Sequence, residues 1–151
     1  MQAASSVKNL TLAFVAGFVA VLVFHQGAWA ALHFANIVPA SKPAWSMAPV
    51  PPFNVPTILS QAFWGGIWAV VLTVLMPSAY GWNYWVSWIL TGAILLTAVA
   101  LFVVPLLKGM PVGEFSWQRF AIGAIVNGSW GFGTALLLRA MRVTTPRPFV
   151  S

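Results

Sequence analysis

Residues 84–107 read YWVSWILTGAILLTAVALFVVPLL, and this stretch contains no charged side chain. A helix of about 20 apolar residues crosses the roughly 30 Å hydrocarbon core of a bilayer. Three further runs reach that length, at residues 10–36, 57–76 and 119–141. The sequence therefore predicts an all-α integral membrane protein with four transmembrane helices, and with both termini on the same side of the membrane.

The composition agrees with a membrane protein and leaves little room for catalysis. Of 151 residues, 60% are hydrophobic and 5% are charged, whereas about 25% of an ordinary soluble domain is charged. Glu114 is the single acidic residue and cysteine is absent, so paired carboxylates, an Asp-containing triad and thiolate metal sites are excluded. We expect no enzyme activity, no metal site and no cofactor. The seven Lys and Arg residues are scattered, which argues against a nucleic-acid partner.

The connections between the apolar runs carry prolines and tryptophans. Six prolines lie between residues 37 and 56, which excludes a helix there and predicts an extended segment over the membrane surface. Tryptophan is enriched at membrane–water interfaces because its ring is apolar and its N–H is polar. We therefore predict interfacial anchors at Trp45, Trp82, Trp85, Trp88 and Trp117.

The N-terminal run has two interpretations. Lys8, the apolar stretch after it and the small residues around Trp29 imitate a signal peptide with its cleavage site. The run continues to Phe34, however, which is the length of a membrane span. We therefore expect it to be the first transmembrane helix.

The orientation of the chain is predicted from its basic residues, because cytoplasmic loops are enriched in Lys and Arg. Four such residues lie on the side of the termini and three on the other side: Lys8, Arg139, Arg142 and Arg147 against Lys42, Lys108 and Arg119. This balance predicts that both termini are cytoplasmic.

A duplication at an offset of 66 residues is the clearest internal pattern. Residues 61–72 read QAFWGGIWAVVL and residues 127–138 read NGSWGFGTALLL, with an amide, a Trp-Gly pair, an alanine and a leucine in matching places. Pro39-x-x-Lys42 and Pro105-x-x-Lys108 share the same offset. The sequence therefore predicts two tandem helical hairpins, about residues 9–76 and 84–141, that are parallel repeats and enter the membrane from the same side.

Small residues recur in both copies at a spacing that favours helix packing. Gly65 and Ala69 in the first copy correspond to Gly131 and Ala135 in the second. The pattern Gly-x-x-x-Ala lets two helix backbones approach closely in a membrane. We expect the amide-and-tryptophan faces of the second and fourth helices to pack against each other.

Four polar side chains are expected within the membrane: His25, Gln26, Gln61 and Asn127. Hydrogen bonds between such groups contribute roughly 0.6 to 2 kcal/mol and join helices. An alternative is that the four line the polar path of a small-solute channel or carrier. His25 and His33 are rotated by about 80° and separated by about 12 Å along one helix, so they cannot bind the same metal.

A further alternative comes from His25-x-x-x-Trp29, which looks like the pigment-ligating stretch of bacterial antenna polypeptides. This resemblance implies a pigment-binding membrane subunit in which His25 is the ligand. A haem held by His25 and shared between protomers is a further alternative, because no other helix of the chain supplies a histidine. Antenna polypeptides have one transmembrane helix, whereas this chain has four predicted. The small residue expected four positions before the histidine is here Val21.

The chain contains the stretches FHQG at residues 24–27, PPFxVP at 51–56, AFWGG at 62–66 and VNGxWGxGTA at 126–135. These stretches spread over most of the chain, and they resemble a group of small four-helix bacterial inner-membrane proteins that have no assigned function. The resemblance implies a bacterial inner-membrane location. With the absence of catalytic residues, it leads us to expect a non-catalytic accessory or assembly subunit, partnered by the lipid bilayer and by other membrane subunits or copies of itself.

Overall fold

The computed structural model describes residues 2–76 and 80–143, and for residues 2–5 it describes the backbone alone. Arg147, which the orientation prediction counts, lies outside the described residues. The α-helices are Gln2–Ala20, Gln26–Phe34, Thr57–Leu75, Trp82–Leu90, Val104–Leu107 and Trp117–Ala140. The π-helical segments are Val21–His25, Thr91–Leu96 and Val99–Val103, and the strands are Pro49–Val50 and Val55–Pro56.

Among the described residues, four helical stretches are long and apolar enough to cross a membrane, which confirms that part of the fold prediction. They are Ser6–Phe34, Thr57–Leu75, Trp82–Leu107 and Trp117–Ala140, and we call them spans 1 to 4. Spans 1 and 3 each join α-helical and π-helical segments into one continuous helix. The other predicted ends agree with the observed ones within two residues, but the first helix begins at Gln2, eight residues before the predicted start, because helical backbone continues past Lys8.

The four spans pack side by side in the order 2–1–4–3. Span 1 lies between spans 2 and 4, and span 4 lies between spans 1 and 3, so spans 2 and 3 are the outer members. The predicted packing of the second helix on the fourth is wrong over most of their length. Each packs instead on its own hairpin partner, and the two meet only locally, where Gly65 lies beside the ring nitrogen of Trp130.

Close backbone approach explains why each hairpin packs on itself. A methyl group on Gly17 would collide with the carbonyl oxygen of Gly65 and with the side chain of Ala69. A methyl group on Gly131 would collide with the carbonyl oxygen of Trp88. Helices in a membrane are held by such short contacts, since lipid provides no hydrophobic force between them.

The connection between spans 1 and 2 does not lie as a free extended segment. Pro49–Val50 and Val55–Pro56 form a short antiparallel ladder. The indole N–H of Trp45 donates to the carbonyl oxygen of Leu22 at 2.8 Å, and that of Trp29 donates to the carbonyl oxygen of Lys42 at 2.9 Å. Leu22 is twelve residues before the end of span 1 at Phe34, about 18 Å along a helix. The connection therefore folds back along span 1.

Contacts between the spans recur in the two hairpins at fixed offsets. The offset is 66 residues between spans 2 and 4, and it is 71 residues between spans 1 and 3 (17 to 88 and 26 to 97). A π-helical segment also occupies the corresponding place in each hairpin, at Val21–His25 and at Thr91–Leu96. The corresponding pairs are Gly17 with Gly65 and Trp88 with Gly131; Gln26 with Gln61 and Thr97 with Asn127; Phe14 with Gly66 and Trp85 with Phe132.

Candidate functional site

The first polar site is a hydrogen-bonded junction around Gln26, whose side chain is 4% exposed. Its Nε2 donates to Oε1 of Gln61 on span 2 at 2.7 Å, and its Oε1 accepts the backbone N–H of Trp45 at 2.8 Å. Both ends of the buried amide are therefore satisfied, as burial requires. One side chain ties together span 1, span 2 and the connection between them, and we call this group the Gln26 junction.

His25 lies beside the Gln26 junction and is partly buried. Its Nδ1 is 3.4 Å from Nε2 of Gln26, which is a long contact. The imidazole Nδ1 accepts a hydrogen bond from this amide only when Nδ1 carries no proton. Within residues 2–76 and 80–143, no three His, Cys, Asp or Glu side chains come together as metal ligands. The other histidine, His33, has a buried Nε2 with no hydrogen-bond partner in the described chain.

Asn127 belongs to a second and separate polar contact. Its Nδ2 donates to Oγ1 of Thr97 on span 3 at 3.0 Å, and Thr97 is fully buried. A methyl group on Gly123 would press on Thr97, so this glycine allows span 4 to lie close at this level. The expected cluster of four is therefore divided, because Asn127 faces span 3 whereas Gln61 faces span 1.

The contact between the two hairpins is made by Trp130. Its indole is 1% exposed, and its Nε1 donates to the carbonyl oxygen of Gly17 at 3.0 Å. The ring of Phe24 fills the hollow left by the missing side chain of Gly133. Trp64 matches Trp130 in the sequence but is 58% exposed. The two tryptophans differ because span 4 is an inner helix and span 2 an outer one.

The five tryptophans predicted as interfacial anchors occupy different environments. Trp82 and Trp117 are 78% and 77% exposed and begin spans 3 and 4, and Trp45 is 48% exposed. Trp85 is half-buried. Trp88 is 2% exposed, so its assignment as a headgroup anchor is wrong. It lies within span 3 at the close approach to Gly131, where packing rather than amphipathicity determines its position.

A cationic contact that sequence reasoning missed joins the start of span 3 to the end of span 4. The guanidinium carbon of Arg139 lies 4.8 Å from the ring centre of Tyr84 and 5.3 Å from that of Trp85. The Tyr84 hydroxyl donates to the carbonyl oxygen of Ala135 at 2.8 Å. A sequence pattern could have predicted this contact. Aromatic residues begin one helix of the antiparallel hairpin, and an arginine ends the other.

A groove of about 570 Å³ opens between spans 1, 3 and 4. Its wall is apolar except for Ser129, whose hydroxyl donates to the carbonyl oxygen of Ile125 at 2.8 Å. Gly27 and Gly128 are among the small residues that form it. None of the four predicted polar residues lines this groove.

Comparisons with known proteins found no relative of this chain. The chain matches no protein-family model, no curated protein and no solved structure.

Proposed function

We propose that this chain is a non-catalytic, multi-pass subunit of a bacterial inner membrane, whose role is to assemble with other membrane helices in a larger complex or a homo-oligomer. The observation that carries the proposal is the open packing order 2–1–4–3. Spans 2 and 3 each use one face for their hairpin partner and leave the other free. A closed four-helix bundle would use both.

The polar contacts favour a structural role over a chemical one. Gln26 bonds to Gln61, and Asn127 bonds to Thr97, so the buried amides are used to hold the helices of each hairpin together. Groups that act on a substrate need a cavity that the substrate enters. Neither Gln26, Gln61 nor Asn127 lines the described groove.

The two hairpins are proposed to be tandem parallel repeats. The support is that contacts recur between corresponding residues, for example Gly17 with Gly65 and Trp88 with Gly131. A π-helical segment at the same place in both hairpins adds an independent feature. Insertion from the same side would place both termini together, and the basic residues favour the cytoplasm.

The two alternatives from the sequence have weaker support. A solute path would need His25, Gln26, Gln61 and Asn127 to line one passage, but they belong to two separate contacts. A pigment or haem site at His25 has no support beyond the five-residue resemblance, and His25 does not line the groove between spans 1, 3 and 4.

Purification in a mild detergent, followed by mass measurement of the intact particle, tests the assembly proposal. We expect a particle that contains several copies of this chain or this chain with other membrane proteins. A strictly monomeric particle without partners, in detergent and again after transfer to lipid nanodiscs, would contradict the proposal.

The orientation is tested by cysteine labelling, because the chain has no cysteine of its own. Lys8→Cys and Lys108→Cys lie on opposite sides of the proposed topology. A membrane-impermeant thiol reagent added outside intact cells should label the variant at position 108 and not the one at position 8. The reverse pattern would place the termini outside.

A further inference from the structure

We propose that the chain forms a head-to-tail homo-oligomer, in which the Trp64 face of span 2 packs on span 3 of a second copy. The Trp64 face comprises Leu59, Phe63, Trp64 and Ile67. The inference rests on the proposed assembly role and names the partner as the same chain. Its template is the contact that already joins the two hairpins within one copy.

In that internal contact, span 4 of the second hairpin packs on span 1 of the first. Trp130 donates its indole N–H to the Gly17 carbonyl, and Phe24 fills the hollow at Gly133. If the hairpins are equivalent, the same contact is available once more. It would use span 2 in place of span 4 and span 3 in place of span 1.

Of the three corresponding residues, two are exposed and one, Ile67, is partly buried. With the offset of 66 residues, Trp130 corresponds to Trp64, which is 58% exposed. With the offset of 71 residues, Phe24 corresponds to Leu95, which is 44% exposed. Gly133 corresponds to Ile67. In the internal contact the large side chain of Phe24 covers Gly133. In the proposed contact Leu95 and Ile67 take their places, and these two aliphatic side chains of medium size can pack against each other.

The indole of Trp64 supplies an independent reason for a partner. Trp64 lies seven residues after the start of span 2 at Thr57 and eleven before its end at Leu75. Lipid-facing tryptophans belong at the membrane interfaces, where the N–H meets water or headgroups. Within the hydrocarbon, an N–H without a hydrogen-bond partner is unfavourable, and no bond from this N–H is present in the described residues. A main-chain carbonyl of span 3 in a second copy, at the level of Trp88, would accept it as Gly17 accepts that of Trp130.

The open order of the spans indicates how such copies are arranged. A half-turn between the hairpins would bring span 2 onto span 3 within one chain and close the bundle. Spans 2 and 3 instead lie apart, as the outer members of the order 2–1–4–3. The rotation between the hairpins is therefore smaller than a half-turn, and repeating a head-to-tail contact of this kind leads to a ring of copies when the rotation closes.

Cysteine cross-linking between two differently tagged copies tests the contact, because the chain has no native cysteine. One copy carries Ile67→Cys and the other carries Leu95→Cys, and both are oxidised in membranes. We expect a mixed disulfide dimer, with neither variant cross-linking to itself. Leu107→Cys paired with Ile67→Cys is the control, since position 107 is displaced from position 95 by about 18 Å along the helix.

A single chain that carries both Ile67→Cys and Leu95→Cys separates this proposal from internal closure. Disulfide-linked chains of several copies support the ring. An internal disulfide in a monomer, or no cross-link in any pairing, overturns it. The broader assembly role would survive that failure if the intact particle still contains other subunits or copies joined elsewhere, and a lone monomer would remove both.

Substitution of Trp64 gives a second readout that does not depend on cysteine chemistry. Trp64→Phe removes the N–H and keeps a ring, and we expect about a threefold weaker association of copies in lipid. Trp64→Ala should abolish the oligomer while leaving the thermal unfolding of the monomer unchanged. Trp117→Phe, at another exposed tryptophan, is the matched control. An unchanged oligomer in both Trp64 variants would overturn the proposal.

Discussion

Trp130 donates its indole N–H to the carbonyl oxygen of Gly17 at 3.0 Å and so joins residues that are 113 positions apart in the chain. Trp130→Phe keeps most of the ring in place and removes this hydrogen bond. We expect a loss of about 1–3 kcal/mol in the free energy of unfolding, because the hydrogen bond is lost and the smaller ring leaves part of the buried space empty. The loss is seen as a lower midpoint of thermal unfolding in detergent. The same exchange at the exposed Trp117 should leave the midpoint unchanged, and equal effects at the two sites would argue against the contact.

Gly17 also sets the distance between spans 1 and 2. Gly17→Ala places a methyl group against the Gly65 carbonyl and Ala69, so the helices must separate, at a cost of about 1–3 kcal/mol. Gly27 offers a matched control on the same span, because nothing lies within 4 Å of a methyl group there. Gly27→Ala should be neutral or stabilising by up to about 1 kcal/mol. The comparison is made by chemical or thermal unfolding, and a neutral Gly17→Ala would show that the crossing is looser than described.

The Gln26 junction predicts an energetic coupling between two side chains. Gln26→Leu and Gln61→Leu each break the same hydrogen bond, so their combined effect should be smaller than the sum of the single effects by roughly 0.6–2 kcal/mol. Gln26→Leu combined with Asn127→Leu should instead be additive, since Asn127 bonds to Thr97. Coupling of equal size in both double-mutant cycles would mean that the four polar residues form one cluster after all.

The same junction controls the connection between spans 1 and 2. Loss of the Gln26 side chain removes the acceptor of the Trp45 N–H, so this connection should become more accessible. Limited proteolysis or thiol labelling of Ser46→Cys measures the change, and we expect several-fold faster modification in the Gln26→Leu background. Labelling of Gly113→Cys, in the connection between spans 3 and 4, is the control and should not change.

Arg139 over Tyr84 and Trp85 should stabilise the second hairpin where span 3 begins and span 4 ends. Cation–π contacts contribute about 0.5–2 kcal/mol, and Arg139→Gln should lower the free energy of unfolding by that amount. Arg142→Gln removes a charge of the same sign three residues later and serves as the control. If both variants lose the same stability, net charge rather than ring contact is responsible.

The four helices were predictable because apolar length alone specifies them, and apart from the start of the first helix their ends follow the sequence breaks closely. The path of the connection after span 1 could not be predicted from the sequence. It depends on the hydrogen bond from the Trp45 indole to the Leu22 carbonyl, a contact that no local sequence pattern encodes. Trp88 was misassigned for a related reason. A tryptophan near a helix start is typical of an interfacial anchor, and only the position of Gly131 shows that it is buried.

The polar site was predicted in part. Its residues could be named because amides are rare in apolar runs, but four polar side chains can be paired in several ways. Thr97 was overlooked as a partner of Asn127 because threonine is common in membrane helices. The offset of 71 residues between spans 1 and 3 was hidden as well, since those spans share little beyond hydrophobicity, and corresponding residues are recognised only through the contacts they make.

The π-helical segment at Val21–His25 sets the orientation, around the helix axis, of the side chains that follow it in span 1. Its wider turn contains one residue more than a turn of α-helix. Each residue of an α-helix is rotated by about 100° around the helix axis relative to the residue before it. Without that extra residue, the side chain of Gln26 would be rotated about the helix axis and would no longer face span 2. The hydrogen bond between Gln26 and Gln61 therefore depends on the shape of this one turn.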